Sequence, residues 1–343
     1  MPASYRNGSA QRLAVWLGAC IIGLALVAPA HAETLKIGVT KLASCAAIAI
    51  ARDKGYFAAE GLTPELAFFD AQQPIAVGVA SGDLDVGIAA TTAALYSLAG
   101  QGTLRIIAGG IAEWPTFHYL SYLASNQAYA AGLKSVHDFG GHSVALTQMG
   151  TGLQYSIALA AEKYGFDIKS VRLLPLQSNS NIASALAGGQ TDAAIFSSTG
   201  ALPLIEQGRA KLLGWVGDDT NGFQANLTFV STKTADERRD TVERFLKVYR
   251  KAAREYHDAF TGKDGKRADQ ATAPEILAIL SKYLGQPVEL VKLGLPYLDS
   301  DVRVDVKDVA HQLQWYRSEN LMKTDVAADA ILDKRYIIAL PGR

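Results

Sequence analysis

The amino-acid sequence predicts an α/β protein with two lobes, each a mostly parallel sheet flanked by helices. Short apolar segments alternate with Ala-rich helical segments, the pattern typical of parallel βαβ units. Two stretches of the chain repeat each other at one offset of 107 residues. Extended segments near 120–130 and 222–230 predict two crossings between the repeats, and therefore a two-stranded hinge.

The repeat rests on identical residues at constant spacing. Residues Gly82, Asp85, Ile88, Thr92, Ala94 and Leu95 recur as Gly189, Asp192, Ile195, Thr199, Ala201 and Leu202. The same offset carries Thr40 onto Thr147. Six identities at Ala-rich positions could arise by chance, but an offset shared by two separate strand-turn-helix units favours two copies of one lobe.

The first 32 residues are predicted to be a signal peptide. Two arginines and no acidic residue precede the apolar stretch 13–29, and the sequence Ala30-His31-Ala32 has the form of a cleavage site. An uncleaved anchor is the competing interpretation, and the residues 17–20 resemble a lipoprotein box. The short apolar run before that box favours an exported, soluble product that begins at Glu33.

Charge and cysteine content narrow the classes of partner and cofactor. The chain has 33 basic and 33 acidic residues, and loss of the leader leaves a formal net charge of −2. We therefore expect neither a nucleic-acid nor a membrane partner. Only Cys45 follows the leader, so no intrachain disulfide is expected, and the scattered histidines show no metal-ligand spacing. No metal and no cofactor are expected.

The predicted elements follow in order along the chain. Strands of the first half are predicted at 34–39, 65–70, 85–89 and 105–110, with helices beginning near 44, 73 and 92. Another extended run covers 118–125, and a second set of strands is predicted at 143–147, 171–176, 192–196 and 211–216. The segment 225–232 is predicted to return to the first lobe.

Amphipathic helices are predicted after the return, at 235–260, 274–284 and 305–321, and we expect them to pack on the first lobe. The charged segment 261–270 is expected to be a solvated connector. The predicted organisation is a leader (1–32), lobe 1 (33–123), lobe 2 (124–225), and a return to lobe 1 with the C-terminal helices (226–343).

Four segments rich in Ser, Thr, Gly and Ala are expected to line a cleft between the lobes: 41–45, 90–92, 148–152 and 197–199. Each follows a predicted strand and precedes a helix, and helix N-termini expose unpaired N–H groups that attract anions. Plain helix capping is the alternative for each segment alone. Four segments related by a repeat favour binding.

The candidate ligand-binding residues come from these segments and from two tryptophans that follow strands. They are Lys41, Ser44, Cys45, Thr91, Thr92, Trp114, Gln148, Gly150, Thr151, Gly152, Ser197, Ser198 and Trp215. The tryptophans are equally compatible with core packing, and Phe196 and Phe223 are weaker aromatic candidates. The Gly-Thr-Gly at 150–152 lacks the third glycine of a dinucleotide fingerprint, and the chain has no P-loop motif.

Sequence motifs give no support for catalysis. The chain contains neither a GxSxG nor an HExxH motif, and Cys45 has no recognisable partner nearby. Asp85 and Asp192 each precede an apolar strand, where a solvated or turn-bonded carboxylate is the usual role. We expect a non-enzymatic protein with no catalytic residues.

Three segments resemble the nitrate, sulfonate and taurine type of solute-binding protein, which serves ABC importers and shares its fold with the thiamine pyrimidine-precursor proteins. They are AIARDKGYFAAEGL (49–62), GVASGDLDVGIAATTAAL (78–95) and DAAIF (192–196). The resemblance implies a type II periplasmic binding protein that closes on its ligand and presents both lobes to an inner-membrane permease. It places the ligand contacts on the four segments and around Trp114.

The resemblance leaves the ligand open. Three of the four segments lack Lys and Arg, which favours one delocalised anionic group, and the tryptophans leave room for an apolar or aromatic tail. We expect a periplasmic monomer that binds an organic sulfonate or carboxylate. Two alternatives remain: an enzyme of the pyrimidine-precursor kind, although this chain lacks the Cys-rich iron motif of those enzymes, and a ligand-sensing module.

Overall fold

The structure is a computed structural model, described here for residues 32–220 and 222–341. The expected leader lies outside these residues, apart from Ala32. Within the described ranges, no helix is both long enough and apolar enough to cross a membrane.

Strands and helices alternate along most of the described chain. The strands are β1 (Glu33–Thr40), β2 (Leu62–Phe69), β3 (Val86–Ala90), β4 (Leu104–Gly109), β5 (Ile111–Glu113), β6 (Leu120–Ser125), β7 (Ser143–Leu146), β8 (Arg172–Pro175), β9 (Ala193–Ser197), β10 (Ala210–Trp215), β11 (Phe223–Gln224), β12 (Asn226–Ser231) and β13 (Tyr297–Leu298).

The helices cover the faces of the sheets. They are α1 (Ala46–Asp53), α2 (Tyr56–Ala59), α3 (Gln73–Ser81), α4 (Ala93–Gly100), α5 (Asn126–Ala131), α6 (Gly152–Tyr164), α7 (Asn179–Ala187), α8 (Ser198–Glu206), α9 (Val216–Thr220), α10 (Thr232–Glu237), α11 (Arg239–Phe260), α12 (Ala273–Leu284), α13 (Val288–Leu293), α14 (Val306–Ser318) and α15 (Ala328–Ile331). Short 3₁₀ turns occupy Ala43–Cys45, Val136–Phe139 and Ile168–Ser170.

Two five-stranded sheets have the same topology. The first has the order β2-β1-β3-β12-β4, and the second, read in the same direction, has the order β8-β7-β9-β6-β10. In each sheet four strands are parallel to one another and the fourth in order is antiparallel. The antiparallel strand of each sheet is the one delivered by a crossing from the other lobe. The expected fold class, two mostly parallel α/β lobes joined by two crossings, is confirmed.

The offset of 107 residues holds in the register of the sheets. Ile37 pairs with Val86 between β1 and β3, and Val144 pairs with Ala193 between β7 and β9. Likewise Lys36 pairs with Glu65, and Ser143 pairs with Arg172. Residues 107 positions apart therefore occupy equivalent places in the two lobes.

The first crossing occurs earlier than the apolar pattern indicates. Strand β6 belongs to the second sheet, so the chain leaves the first lobe through β5 and the loop before residue 120. The expected boundary between 123 and 124 falls inside this strand. An apolar run predicts a strand, but it does not specify the sheet that the strand joins.

Most of the C-terminal helices pack on the first lobe, as their place after the return strand predicts, while α13 contacts α8 of the second lobe. Helices α11 and α12 contact α1, and α14 contacts α4. The predicted helix at 235–260 is interrupted at Arg238, whose backbone leaves the helical region and whose guanidinium pairs with Glu33 and Asp85. This ion-pair cluster ties the start of β1 to the C-terminal helices.

Candidate functional site

A cavity of about 510 Å³ lies between the carboxyl ends of the parallel strands of the two lobes. This is the position at which open α/β sheets bind ligands. The described residues that line it are Leu42, Asp70, Ala71, Gln72, Ala90, Tyr119, Leu120, Thr147, Gln148, Thr151, Gly152, Leu153, Gln177, Ser178, Asn179, Ser180, Phe196, Ser197, Phe223, Ala225 and Asn226.

The two lobes contribute equivalent loops to the lining. The loop after β2 (70–72) and the loop after β8 (177–179) are 107 residues apart, and both reach the cavity. The last residues of β3 and β9, Ala90 and Ser197, form another equivalent pair. Symmetry of position does not extend to chemistry, because the second lobe carries more hydroxyl and amide groups than the first.

Two helices of the second lobe present N-termini that their own side chains leave uncapped. Thr151 precedes α6, but its hydroxyl donates to the Gln148 carbonyl at 2.9 Å rather than accepting from the helix. Ser197 precedes α8 and makes no capping hydrogen bond. The Ser198 N–H at the start of α8 donates to the Tyr119 carbonyl at 2.9 Å. The other first-turn N–H groups and the positive end of each helix dipole are available at the cavity.

Two other helices near the cavity, α4 and α7, are capped at their N-termini by their own side chains. Thr92 caps α4 by accepting from the Leu95 N–H at 3.0 Å, and Ser178 caps α7 by accepting from Asn181 at 3.2 Å. Ordinary capping thus explains Thr92, and it does not explain Thr151 or Ser197.

Asn226 adds a side-chain donor to the lining. It is the first residue of β12, in the hinge, and only 3% of its surface is exposed. Its amide Nδ2 has no hydrogen-bond partner within the described chain. A buried N–H group without a partner costs about 1 to 3 kcal/mol, which a ligand oxygen would recover.

Apolar and aromatic side chains form the rest of the wall. Tyr119, Phe196 and Phe223 supply rings, and leucines 42, 120 and 153 supply aliphatic surface. Rings contribute large apolar area with few rotatable bonds, so they suit a ligand with a flat or apolar body.

Formal charge is nearly absent from the lining. Of its described residues, only Asp70 is charged at neutral pH, and this residue is exposed at the cavity opening. No group of three or more His, Cys, Asp or Glu residues in the described ranges is arranged to hold a metal ion.

The structure brings four of the expected site residues into the lining: Gln148, Thr151, Gly152 and Ser197. Three more lie beside the cavity. Thr92 forms an isolated antiparallel bridge with Thr151, and the Gly150 carbonyl accepts from the Ala93 N–H at 2.9 Å, so these two residues join the lobes. The Thr91 hydroxyl donates to the carbonyl of Gln224 in β11, which pairs with β5, at 3.3 Å.

Four expected residues of the loop ends lie off the lining. Ser44 and Ser198 are buried with hydroxyls that have no partner within the described chain, and Cys45 is buried. Burial raises the pKa of the Cys45 thiol, which opposes formation of a reactive thiolate. Lys41 is exposed, so its ammonium group is solvated.

Both expected tryptophans lie outside the cavity. Trp114 stacks on Tyr297 with ring centroids 4.6 Å apart, and Trp215 stacks on His118 at 4.3 Å. The weaker candidates, Phe196 and Phe223, line the cavity instead. A position at the end of a strand does not determine whether a ring points into the cavity. That direction depends on the twist of the two sheets.

Sequence reasoning missed the paired loops 70–72 and 177–180 and the hinge residue Asn226. The repeat held the signal for the loops, because the offset that relates the other site segments also relates these two. Asn226 had no such signal, since its role depends on where the second crossing passes the cavity.

A half-buried acid holds α6 through a hydrogen bond to its Tyr155 side chain. Asp308 on α14 accepts hydrogen bonds from the Tyr155 hydroxyl at 3.0 Å and from the Gln224 N–H at 2.7 Å. Burial raises the pKa of Asp308 to about 6, against the opposing effect of these hydrogen bonds. The contact links the C-terminal helices of the first lobe to the helix whose N-terminus faces the cavity.

A family model described as NMT1/THI5 like matches residues 43–259. The chain belongs to this family. A search of curated proteins found no match.

Solved structures confirm the periplasmic binding protein fold. The aliphatic sulphonate binding protein SsuA from Escherichia coli is 17% identical, with a TM-score of 0.69 over 91% of this chain and 94% of that one. The nitrate-binding protein NrtA from Synechocystis PCC 6803 is 16% identical, with a TM-score of 0.62 over 89% and 87%. DSZB, solved in complex with biphenyl-2-sulfinic acid, is 16% identical, with a TM-score of 0.57 over 90% and 97%.

Proposed function

We propose that this member of the NMT1/THI5-like family is the solute-binding component of an ABC importer and captures a small organic anion in the interlobe cavity. The observation that carries the proposal is the convergence of three donors on one cavity: the uncapped starts of α6 and α8, and the partnerless Nδ2 of Asn226. Helix N-termini bind anions without a basic side chain.

The shape and walls of the cavity favour an organic anion over nitrate. A volume of about 510 Å³ exceeds what a four-atom oxyanion such as nitrate fills, and three rings line the cavity. A sulfonate or carboxylate with an apolar or aromatic body uses both the donors and the walls. The names of the similar structures, which concern a sulphonate, nitrate and a sulfinic acid, support an oxyanion ligand.

The same fold also hosts DSZB, described as a desulfurization enzyme, so fold alone does not decide between binding and catalysis. The chemistry of the lining favours binding. Its described residues include no Cys, His, Lys or Arg, and the one carboxylate stands at the opening. Cys45 is buried outside the lining and its pKa is raised. A nucleophile with an adjacent base is therefore lacking among these residues.

Localisation and partners follow from the proposal. The expected leader and the periplasmic proteins among the similar structures support export to the periplasm, where we propose that the protein is a monomer. The partner would be an inner-membrane ABC permease. Loss of ligand uptake in cells that lack this protein would support import, whereas intact uptake with a lost transcriptional response would support the sensing alternative.

The direct test is a thermal-shift screen of the mature protein, residues 33–343, against organic sulfonates, carboxylates and nitrate, followed by calorimetry on the hits. A ligand that binds only the native state must raise the melting temperature. Asn226→Asp replaces the free donor by a carboxylate and should weaken binding at least about 10-fold, from the strength of a hydrogen bond to a charged group.

Asn320→Asp is the matched control, because it adds the same charge at an exposed position away from the cavity. Its affinity should equal that of the unmodified protein. A panel in which no anion raises the melting temperature, or equal affinities for the Asn226→Asp and Asn320→Asp variants, would refute the anion site.

A further inference from the structure

The donors and the charge of the cavity occupy opposite lobes. Thr151 and Ser197, with the uncapped starts of α6 and α8, belong to the second lobe. Asp70, the one formal charge among the described lining residues, follows β2 in the first lobe. The wall from the second lobe therefore attracts negative charge, and the Asp70 loop of the first lobe attracts positive charge.

The repeat shows that this asymmetry is specific to one loop. Asp70 is equivalent to Gln177, and Gln72 to Asn179, so three of the four positions carry neutral amides. Only the position at residue 70 carries a carboxylate. Both loops line the cavity, and Gln177 does so with a neutral side chain. A neutral side chain at residue 70 could therefore form the wall equally well.

The Asp70 carboxylate is not engaged by neighbours of its own lobe. No ion pair or side-chain hydrogen bond of this residue occurs among the described residues, whereas Gln72 in the same loop bonds the Ala90 N–H at 3.0 Å. A carboxylate at the opening repels an anion that lacks a compensating charge. It suits a ligand whose far end carries a cationic group.

We infer that the ligand is amphoteric: its anionic group faces the second lobe and Asn226, and a protonated amine at its other end pairs with Asp70. The inference rests on the proposed function, since it concerns the same cavity. Asp70 is then a specificity-determining residue that separates amino-bearing organic anions from plain ones.

Two probes of nearly equal shape isolate the amine. 4-(Aminomethyl)benzenesulfonate and 4-ethylbenzenesulfonate share the sulfonate and the ring and differ in an ammonium group against a methyl group. Calorimetry at neutral pH and low salt should show the amino probe binding about 2- to 5-fold more tightly, as expected for a solvated ion pair. The preference should shrink as salt rises, because the opening of the cavity is solvated.

Variants assign the preference to one side chain. Asp70→Asn should remove the preference by weakening the amino probe and leaving the ethyl probe unchanged or tighter. Glu65→Gln is the control: it removes a negative charge from an exposed residue of β2, the strand that precedes Asp70, and should keep the preference intact.

The outcomes separate this inference from the proposed function. Equal binding of the two probes, tighter binding of the ethyl probe, or a preference that persists in Asp70→Asn overturns the amphoteric ligand and leaves the anion site standing. Failure of both probes to bind either protein overturns the anion site and, with it, the inference.

Discussion

Asp85 and Asp192 secure the first strand of their lobes by the same hydrogen bond. The Asp85 carboxylate accepts from the Lys36 N–H at 2.7 Å, and the Asp192 carboxylate accepts from the Ser143 N–H at 2.8 Å. Each donor lies 49 residues before its acceptor. The two aspartates that the repeat singles out are thus structural, but each bonds a neighbouring strand and not its own turn, which differs from the solvated or turn-bonded role expected for them.

Asp192→Ala should lower stability without changing ligand affinity. The carboxylate accepts from both the N–H and the hydroxyl of Ser143, each at 2.8 Å, and bonds of this kind are worth about 1.5 to 3 kcal/mol each when fully shielded. Because the side chain is 39% exposed, we expect a loss of about 1 to 2 kcal/mol in urea unfolding.

The pH dependence of that loss has a defined sign. Burial acts to raise the pKa of Asp192, but hydrogen bonds from Ser143 outweigh it and hold this pKa below its usual value. The contribution is therefore present above the ordinary carboxylate pKa and disappears as pH falls below it. Glu206→Ala, at an exposed position, is the control, and equal stability of the two variants at neutral pH would contradict the assigned role.

Valine at two neighbouring glycines should give opposite phenotypes. Gly152 lines the cavity, and a Cβ there would meet the Phe223 ring at an ordinary 3.5 Å. We expect Gly152→Val to fill the approach to the α6 N-terminus and weaken ligand binding at least about 10-fold, with little change in melting temperature.

Gly150→Val should act on stability instead. Gly150 has φ +70°, and a Cβ there would lie 3.3 Å from Ala93 of the other lobe. The left-handed conformation costs a branched residue about 1 to 2 kcal/mol. A drop in melting temperature for Gly152→Val as large as that for Gly150→Val would argue against this division of roles.

Replacing a ring that lines the cavity should weaken ligand binding, whereas replacing a ring outside the cavity should not. Tyr119→Leu removes a ring of the cavity wall, and we expect a 3- to 10-fold loss of affinity for ring-bearing anions, from roughly 1 kcal/mol of ring contact. Trp215→Leu removes a ring that stacks on His118 outside the cavity and should leave the affinity unchanged. Calorimetry with the same sulfonate on both variants decides the matter, and a larger effect at Trp215 would show that the ligand lies elsewhere.

Asp308→Asn should flatten the dependence of stability on pH between about 4 and 7. Burial raises the pKa of Asp308 from 3.8 to about 6, so between these pH values the folded protein keeps a proton that the unfolded chain has lost. Stability from this group is complete below pH 4 and is lost as pH rises through 6, by on the order of 3 kcal/mol.

Urea unfolding at unit steps from pH 4 to pH 7 measures this difference. The Asn variant should gain stability relative to the unmodified protein as pH rises, whereas Asp258→Asn, at an exposed position, should run parallel to it. Parallel curves for Asp308→Asn as well would mean that the acid titrates normally in the fold.

Much of the architecture was predictable because it depends on local pattern. Apolar segments of four to eight residues, separated by Ala-rich helices, predicted strands that the two sheets contain, and the offset of 107 predicted the equivalence seen in their register. Thr151 and Gly152 were predictable cavity residues for the same reason, since they combine a strand end, a helix start and a place in the repeat.

By itself, then, the sequence determined that this protein has two equivalent lobes and that strand ends from both face one cavity, because strand period and repeat offset are properties of the chain. Only the tertiary structure decided which groups there are free to bind. Thr92 caps its helix while the Thr151 hydroxyl donates to Gln148, the tryptophans stack on other rings outside the cavity, and Asn226 reaches the cavity from the hinge. These outcomes depend on side-chain rotamers and on how two twisted sheets meet, and contacts between residues more than a hundred positions apart set both.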